Sequence, residues 1–298
     1  MITSQKTAQE KRQNLREQLA SGELLRFPGA YNPLVALLVE QTGFEGVYIS
    51  GAVMSNSLGL PDIGLTTLTE VSQMAAQIAK VTDLPALVDA DTGFGEPSNV
   101  ARTIRELEQA GLAGCHLEDQ ENPKRCGHLD NKSIVSEKEM IRKIKTAAES
   151  KTDPDFLIIA RTDSRASEGM EGAIRRAKAY VDAGAEMIFP EAMYTEADFE
   201  VMRKAVSVPI LANMTEFGKS KLLKTSQLKN LGINMVIYPV TTQRLAMKAV
   251  EDGLKHILEN GTQEGILDQM QTRKRLYEVL KYEDYNAFDQ AIFNFKLE

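Results

Sequence analysis

The chain alternates short apolar runs with longer amphipathic segments, and this alternation constrains its fold more than any other feature. Near-continuous apolar runs separated by helical patterns predict parallel strands joined by crossover helices. The runs lie at residues 24–31, 46–51, 85–91, 114–119, 156–163, 186–192, 209–214 and 235–240. Eight strand–helix units predict a TIM (β/α)8 barrel, and the chain of 298 residues is long enough for one.

A doubly wound open sheet is the alternative fold. The number of units and the lack of a G-x-G-x-x-G fingerprint favour the closed barrel. No low-complexity linker divides the chain, so we predict a single domain spanning 1–298. Within it we expect an N-terminal helix at about 1–23, the barrel at about 24–263 and a C-terminal helical extension at about 264–298.

Composition excludes several classes of function. The formal net charge of -7 argues against general nucleic-acid binding, which requires a basic surface. No apolar run approaches the ~20 residues of a membrane span, and the polar N-terminus has no signal-peptide core. Two cysteines, Cys115 and Cys126, cannot form a disulfide framework. Reduced thiols and a cytoplasmic location are the simplest expectation.

The predicted strands end in polar side chains. Strand residues two apart share a face, and catalytic residues of TIM barrels lie at the carboxyl ends of the strands. One charged strand end alone could be a solvated turn, but the joint pattern favours an active site. The side chains concerned are Tyr48 and Ser50, Asp89 and Asp91, His116 and Glu118, Arg161 and Asp163, Glu191, and Asn213 and Thr215.

Asp89 and Asp91 are candidate ligands for a hard divalent cation. Carboxylates suit Mg²⁺, with Mn²⁺ as a substitute, and Mg²⁺ keeps several waters. Glu118 and Asp62 could hold those waters. The alternative is that the two aspartates cap the following helix.

The segment PKRCGH surrounds the second cysteine with cations. Lys124 and Arg125 would favour the thiolate of Cys126 and lower its pKa, Gly127 allows a tight turn, and His128 could share a proton. The alternative is a basic surface loop with an incidental cysteine. Cys115, inside an apolar strand, is predicted to be ordinary core.

Several of these segments together resemble one known superfamily. They are LPDIG at 60–64, DADTGFG at 89–95, HLEDQ at 116–120, KRCGH at 124–128, ARTD at 160–163, NMTEFG at 213–218 and MQTRKRLYE at 270–278. The chain resembles the isocitrate lyase and phosphoenolpyruvate mutase superfamily over nearly its whole length. KRCGH, NMTEFG and the compact length are similar to those members that cleave 2-methylisocitrate. SGA at 50–52, in place of SGG, departs from the family pattern.

The resemblance implies roles for particular residues. Asp89 and Asp91 would bind Mg²⁺. Substrate contacts would come from Ser50, Gly51, Ala52, Cys126, Gly127, Arg161, Glu191, Asn213, Met214, Thr215, Arg244 and Arg273. Spacing alone did not select Arg244 and Arg273, which could equally be surface helix residues.

The implied activity is Mg²⁺-dependent, retro-aldol-type cleavage of a tricarboxylate to pyruvate and succinate, in propionate catabolism. We expect Cys126 to donate a proton to carbon, with Lys124, Arg125 and His128 supplying positive charge, and Tyr48 to take the hydroxyl proton. The resemblance also implies a homotetramer whose C-terminal helices are exchanged. The alternatives are isocitrate cleavage, oxaloacetate or phosphonopyruvate chemistry, and a catalytically silent metabolite-binding barrel.

Overall fold

The computed structural model describes residues 4–125, 127 and 133–294. It contains eight strands, one in each predicted apolar run, so the prediction of eight strands is confirmed. Every strand is almost completely buried, as a parallel sheet covered by helices requires. The strands are β1 (Leu25–Pro28), β2 (Val47–Ile49), β3 (Ala86–Asp89), β4 (Gly114–Glu118), β5 (Leu157–Thr162), β6 (Met187–Pro190), β7 (Leu211–Asn213) and β8 (Met235–Tyr238).

The strands pair in parallel and follow chain order. One sheet runs from β2 to β6, and the other has the order β1-β8-β7. Single bridges join the two sheets at both seams, Gly29 with Tyr48 and Ile188 with Ile210. Each strand therefore neighbours the next and β8 returns to β1, as the predicted (β/α)8 order requires.

Helices cover the outside of the strands and agree with the amphipathic segments. The helix at Arg165–Asp182 is kinked at Gly169, whose φ of 70° and ψ of -171° are not helical, so two helical segments meet there. The helices are α1 (Ala8–Ala20), α2 (Pro33–Thr42), α3 (Gly51–Ser57), α4 (Leu68–Ala79), α5 (Pro97–Gln109), α6 (Glu137–Ser150), α7 (Arg165–Asp182), α8 (Glu196–Ala205), α9 (Thr225–Asn230), α10 (Thr241–Asn260), α11 (Arg273–Val279) and α12 (Tyr282–Phe293), with a 3₁₀ helix at Glu264–Gln269.

The first helix closes the N-terminal end of the barrel. Leu15 packs with strand residues of the barrel interior. Lys11 donates to the carbonyl of Ala79 at 2.8 Å, and Arg12 donates to the carbonyl of Leu112 at 2.8 Å, just before β4. Because α1 blocks this end, the site must lie at the opposite end, where the strands finish.

The last helices leave apolar side chains exposed. Only Gln243 is buried on α10, while the side chains of Leu254 and Leu258 on the same helix are exposed. The α11 segment packs against α2, where Gln41 donates to the carbonyl of Val279 at 3.1 Å. Among the described helices, none combines the length and apolarity needed to cross a bilayer.

Candidate active site

The strand ends enclose a small cavity of about 50 Å³. A buried water needs roughly 10–15 Å³ of such volume, so this conformation accommodates a few waters. Binding of a tricarboxylate would require lining side chains to move. The lining includes most of the predicted site residues that the structure describes: Tyr48, Ser50, Ala52, Asp62, Asp89, Lys124, Arg125, Gly127, Arg161, Glu191, Asn213 and Thr215.

Backbone amides hold the carboxylate of Asp89 in place beside Asp91. The amide of Asp91 donates to Asp89 Oδ1 at 3.0 Å, and the amide of Gly51 donates to Asp89 Oδ2 at 3.2 Å. A Cβ at position 51 would lie 2.9 Å from Asp89 Oδ2, so glycine permits this approach. The N-cap of α5 is Glu96, which excludes the alternative that the two aspartates cap the following helix.

The two buried carboxylates have different electrostatic environments. Burial opposes ionisation of Asp89, but the charges of His116, Lys124 and Arg161 outweigh it and lower its pKa to about 2. Burial and the neighbouring Asp89 raise the pKa of Asp91 to about 6. The pair therefore gathers negative charge where water is scarce, which favours a cation.

Lys124 supplies one such cation. Its ammonium group contacts the carboxylate of Asp62 and lies 2.7 Å from Asp91 Oδ1. That Asp91 oxygen is buried and has no well-aligned hydrogen bond despite this short ion pair. Burial would lower the pKa of Lys124, but Glu118, Asp91 and Asp89 raise it above its usual value. Lys124 is therefore a fixed positive charge at neutral pH and cannot serve as a base.

The carboxylates of Asp89 and Asp91 fit a magnesium ion better than a zinc ion. Within the described ranges, no three His, Cys, Asp or Glu side chains form a metal-binding group. Mg²⁺ commonly takes one or two carboxylates and fills its other positions with water and substrate oxygens. The buried, poorly satisfied Oδ1 of Asp91 is a suitable donor for such an ion.

Arg161 is locked in place at the end of β5. Its Nε and Nη2 donate to Asp163 at 2.9 and 3.1 Å, and its Nη1 lies 3.1 Å from Glu118 Oε2. The guanidinium also lies over the ring of Phe189. Burial opposes its charge, but Asp163, Glu118 and Glu191 raise its pKa well above the usual value. A rigid cation in this position suits recognition of a carboxylate.

Glu118 therefore faces Arg161 in this structure. Burial raises the pKa of Glu118 well above its usual value, against the opposing charges of Arg161 and Lys124. Neither carboxyl oxygen of Glu118 has a hydrogen bond of good geometry. These oxygens could accept from waters of a bound cation, as the sequence predicts, although the direct partner seen is Arg161.

Tyr48 forms a buried pair with His116. The Tyr48 hydroxyl lies 2.7 Å from His116 Nε2, and His116 Nδ1 lies 3.7 Å from Asp89 Oδ1. Burial raises the pKa of Tyr48 well above its usual value and lowers that of His116 to about 4. At neutral pH both are uncharged. The Asp89 carboxylate beside Nδ1 favours the tautomer with its proton on Nδ1, and in that tautomer Tyr48 donates to Nε2.

The other wall is built by Glu191, Asn213 and Gly127. Asn213 Nδ2 donates to Glu191 Oε2 at 3.2 Å, and the amide of Ala192 donates to Glu191 Oε1 at 2.8 Å. A Cβ at position 127 would lie 2.4 Å from Arg161 Nη2 and from Glu191 Cγ. Glycine at position 127 therefore lets the backbone of this residue approach Arg161 and Glu191 closely.

Four of the predicted substrate contacts that the structure describes are not among the cavity-lining residues: Gly51, Met214, Arg244 and Arg273. Met214 is buried, and its sulfur accepts from the Leu223 amide at 3.2 Å. Arg244 is half-exposed and donates to the carbonyl of Glu216 at 2.6 Å. Arg273 lines a separate cavity of about 600 Å³ formed by α11 and the start of α12. Cys126 and His128 lie outside the described residues.

The structure adds three lining residues that the sequence did not indicate, and it gives partners to two strand-end residues that the sequence indicated without a role. Phe189, Pro239 and Val240 line the cavity, and His116 pairs with Tyr48. Asp163 clamps Arg161. The i, i+2 spacing of Arg161 and Asp163 puts both on one strand face, and this signal could have indicated the clamp.

The buried acids and the fixed arginine lie at the carboxyl ends of the strands, where α/β-barrel enzymes have their active sites. The fold and the site together therefore define the class of α/β-barrel enzymes. The family model for phosphoenolpyruvate phosphomutase matches residues 15–258. The chain therefore belongs to the phosphoenolpyruvate mutase family, within the superfamily that also contains the isocitrate lyases.

Relatives agree with this membership. "Probable 2-methylisocitrate lyase 1" of Corynebacterium glutamicum is 60% identical over 96% of this chain and 94% of its own length. The 2-methylisocitrate lyase of Aeropyrum pernix is 47% identical over 93% of this chain and 90% of its own length. A solved phosphonopyruvate hydrolase complex with oxalate and Mg²⁺ is 30% identical, with a TM-score of 0.85, over 94% of this chain and 98% of that one.

Proposed function

We propose that this protein is a Mg²⁺-dependent carbon–carbon lyase that cleaves (2S,3R)-2-methylisocitrate to pyruvate and succinate, in the methylcitrate route of propionate catabolism. One observation carries the proposal: Asp89 and the fixed Arg161 line one cavity at the strand ends, and Asp91 lies beside Asp89, to whose Oδ1 its amide donates. The 2-methylisocitrate lyases at 60% and 47% identity support the choice of substrate.

The metal ion and a substrate carboxylate would bind to groups of opposite charge in separate parts of the site. Asp89 and Asp91 would hold Mg²⁺, or Mn²⁺ in its place, with Asp62 and Glu118 accepting from its waters. The bound ion supplies Lewis acidity for the oxygens of the substrate that become the 2-oxo acid. Arg161 would bind a carboxylate. The other proposed substrate contacts are Ser50, Gly51, Ala52, Cys126, Gly127, Glu191, Asn213, Met214, Thr215 and Arg244.

Cleavage requires one proton to leave oxygen and one to reach carbon. Tyr48 is the proposed acceptor of the hydroxyl proton, and as it takes this proton its own hydroxyl proton passes along the 2.7 Å hydrogen bond to His116 Nε2. As the carbon–carbon bond breaks, its electron pair moves to the succinyl fragment, which becomes an aci-carboxylate. Cys126 is the proposed thiol that protonates that carbon, while Lys124, Arg125, His128 and Arg161 stabilise the negative charge.

We also propose a cytoplasmic homotetramer that exchanges its C-terminal helices. The exposed apolar side chains of α10 support an interface between copies, because large exposed apolar patches mark interaction sites. In this arrangement Arg273 of one copy would serve the cavity of another, which would account for its distance from its own cavity lining. The reduced-thiol expectation for Cys115 and Cys126 supports the location.

Paired assays test the proposed activity. Purified protein with Mg²⁺ is incubated with 2-methylisocitrate or with isocitrate, and the 2-oxo acid released is identified. We expect pyruvate from the first and far less glyoxylate from the second. Dominant glyoxylate would make the protein an isocitrate lyase. Release of neither product would contradict both and direct the assays to oxaloacetate and phosphonopyruvate, and tight binding without turnover would indicate a silent metabolite-binding barrel.

A further inference from the structure

A buried polar cluster lies behind the cavity and does not line it. We call it the Asp119 cluster: Asp119, Thr162, Arg176 and Tyr180. All four side chains are almost completely buried, with Arg176 at 4% the most exposed. Asp119 follows β4, Thr162 ends β5, and Arg176 and Tyr180 lie one turn apart on α7. The cluster therefore connects two strand ends to the helix that covers them.

Asp119 fixes the backbone of the residue that clamps Arg161. Its Oδ2 accepts from the Tyr180 hydroxyl at 2.7 Å and from Thr162 Oγ1 at 2.8 Å. Its Oδ1 accepts from the backbone amide of Asp163 at 2.8 Å. Because Asp163 in turn holds the guanidinium of Arg161 in a fork, the orientation of Arg161 depends on Asp119.

The same cluster closes the base of the 121–133 loop. Arg176 Nη1 lies 3.4 Å from Asp119 Oδ2 and donates to the carbonyl of Val135 at 2.9 Å. The amide of Val135 donates to the carbonyl of Asp119 at 2.9 Å. Beyond these, the amide of Glu121 donates to the carbonyl of Ser133 at 2.9 Å. The segments 119–121 and 133–135 are therefore held together beside this cluster, and Lys124 and Arg125 follow the first of them.

Buried ion pairs contribute little net stability, since apolar residues of similar volume often stabilise a core as well or better. What this cluster provides is a fixed geometry, because a guanidinium with several directed hydrogen bonds has one arrangement. We propose that Asp119, Arg176 and Tyr180 are positioning residues that hold Arg161 in register with the flanking segments 119–121 and 133–135. This inference rests on the proposed function, because it assigns their role in the same site.

Arg175 and Arg176 provide a matched pair of variants. Both arginines donate to Glu168 at 2.7 Å, and Arg175 also donates to Glu137 at 2.9 Å, at the protein surface. Lysine keeps the charge and loses the fork. We expect Arg176→Lys to lower kcat for 2-methylisocitrate by roughly tenfold or more, because a small misplacement of reacting groups costs up to about a hundredfold. Arg175→Lys should stay within about twofold of the wild type, as surface changes usually do.

Two further measurements separate positioning from stability. With Arg176→Lys, KM should change much less than kcat, and amide hydrogen exchange should be faster in peptides covering 119–125 and 133–135 than with Arg175→Lys. Tyr180→Phe removes one bond to Asp119 and should cause smaller changes in the same direction. A lower melting temperature with unchanged kcat and unchanged exchange at the loop base would overturn the proposal.

If Arg176→Lys does not fold, Tyr180→Phe decides: wild-type kcat and wild-type exchange in this variant would overturn the proposal. Absence of lyase activity in the wild-type protein would instead contradict the proposed function. In that case the exchange comparison still shows whether the cluster orders the loop base, so the two failures are distinguishable.

Discussion

The hydroxyl of Tyr48 and Nε2 of His116 are 2.7 Å apart in the interior of the barrel, with both side chains buried. The rings are also stacked, with an interplanar angle of 10°. The strands β2 and β4, which flank β3, thus present a hydrogen-bonded hydroxyl and imidazole, and Nδ1 of the imidazole lies 3.7 Å from Asp89 Oδ1. A proton that leaves a substrate hydroxyl at Tyr48 would enter an existing hydrogen bond.

We expect Tyr48→Phe to lower kcat for cleavage by roughly 10²- to 10⁴-fold, the usual contribution of a positioned acid or base. KM should change little, because the ring that lines the cavity remains. Steady-state kinetics measures both. Tyr238→Phe, on β8 near Arg26, is the matched control and should keep wild-type kcat. Near-normal turnover with Tyr48→Phe would show that Tyr48 only packs and positions His116.

Cys126→Ser should remove most turnover while substrate still binds with Mg²⁺. A serine hydroxyl is a much weaker acid than a thiol, so protonation of the succinyl carbon would fail, at a cost of roughly 10²-fold or more. Calorimetric binding and product assays measure the two effects separately. Cys115→Ser is the control, since Cys115 is fully buried in β4. That variant should lose stability and keep kcat per folded molecule.

The aspartate pair should control metal binding directly. We expect Asp91→Asn and Asp89→Asn each to weaken binding of Mg²⁺ alone by roughly tenfold or more, because a hard cation loses a charged oxygen ligand. Titration calorimetry with Mg²⁺ and no substrate measures this. Chelation should abolish turnover, and added Mg²⁺ should restore it. Wild-type Mg²⁺ affinity in both variants would show that the ion binds elsewhere.

Sequence reasoning predicted the strands well because burial on both faces makes each of them an apolar run. The runs containing β3 and β5 also show their polar ends directly, because Asp89 is the last residue of β3 and Arg161 is next to the last residue of β5. The N-terminal helix was also expected, as a segment that precedes the eight strand–helix units. Its role in closing the barrel was not, because Arg12 reaches carbonyls about a hundred positions away.

The Asp119 cluster could not be predicted from the sequence for the same reason. Tyr180 and Thr162 lie 61 and 43 positions from Asp119, and nothing local in either segment indicates a hydrogen bond. His116 posed a different difficulty, because a buried histidine in a strand fits the core and a site equally well. Its partner Tyr48 became identifiable only when β2 and β4 were placed around β3.

The proposed tetramer depends on the exposed face of α10. We expect Leu258→Arg to reduce the tetramer to smaller species in size-exclusion chromatography with light scattering, because a charge would be buried in an apolar interface. Leu258 is 87% exposed in the single chain. Val201→Arg, on the exposed side of α8, is the matched control and should leave the assembly unchanged. A wild-type monomer would contradict the proposed assembly.

The start of the chain should make folding stability depend on pH through Asp83. Its Oδ1 accepts from Ser4 Oγ and the Gln5 amide at 2.6 Å and from the Lys6 amide at 2.9 Å. Burial opposes ionisation of Asp83, but these hydrogen bonds outweigh it and lower its pKa below the usual 3.8. A lowered pKa in the folded state gives stability that is present above the unfolded pKa and lost as pH falls through the folded one.

We therefore expect Asp83→Asn to lower the free energy of unfolding by about 1 kcal/mol at pH 7, the usual worth of such bonds. The difference from wild type should shrink as pH falls below about 4 and vanish below the folded pKa, since both side chains are then uncharged. Urea unfolding at a series of pH values measures it. Asp268→Asn, at an exposed position, should be neutral throughout. If the free energies of unfolding of the wild type and of Asp83→Asn still differ by the same amount at the most acidic pH, the carboxylate charge of Asp83 contributes nothing to holding Ser4, Gln5 and Lys6.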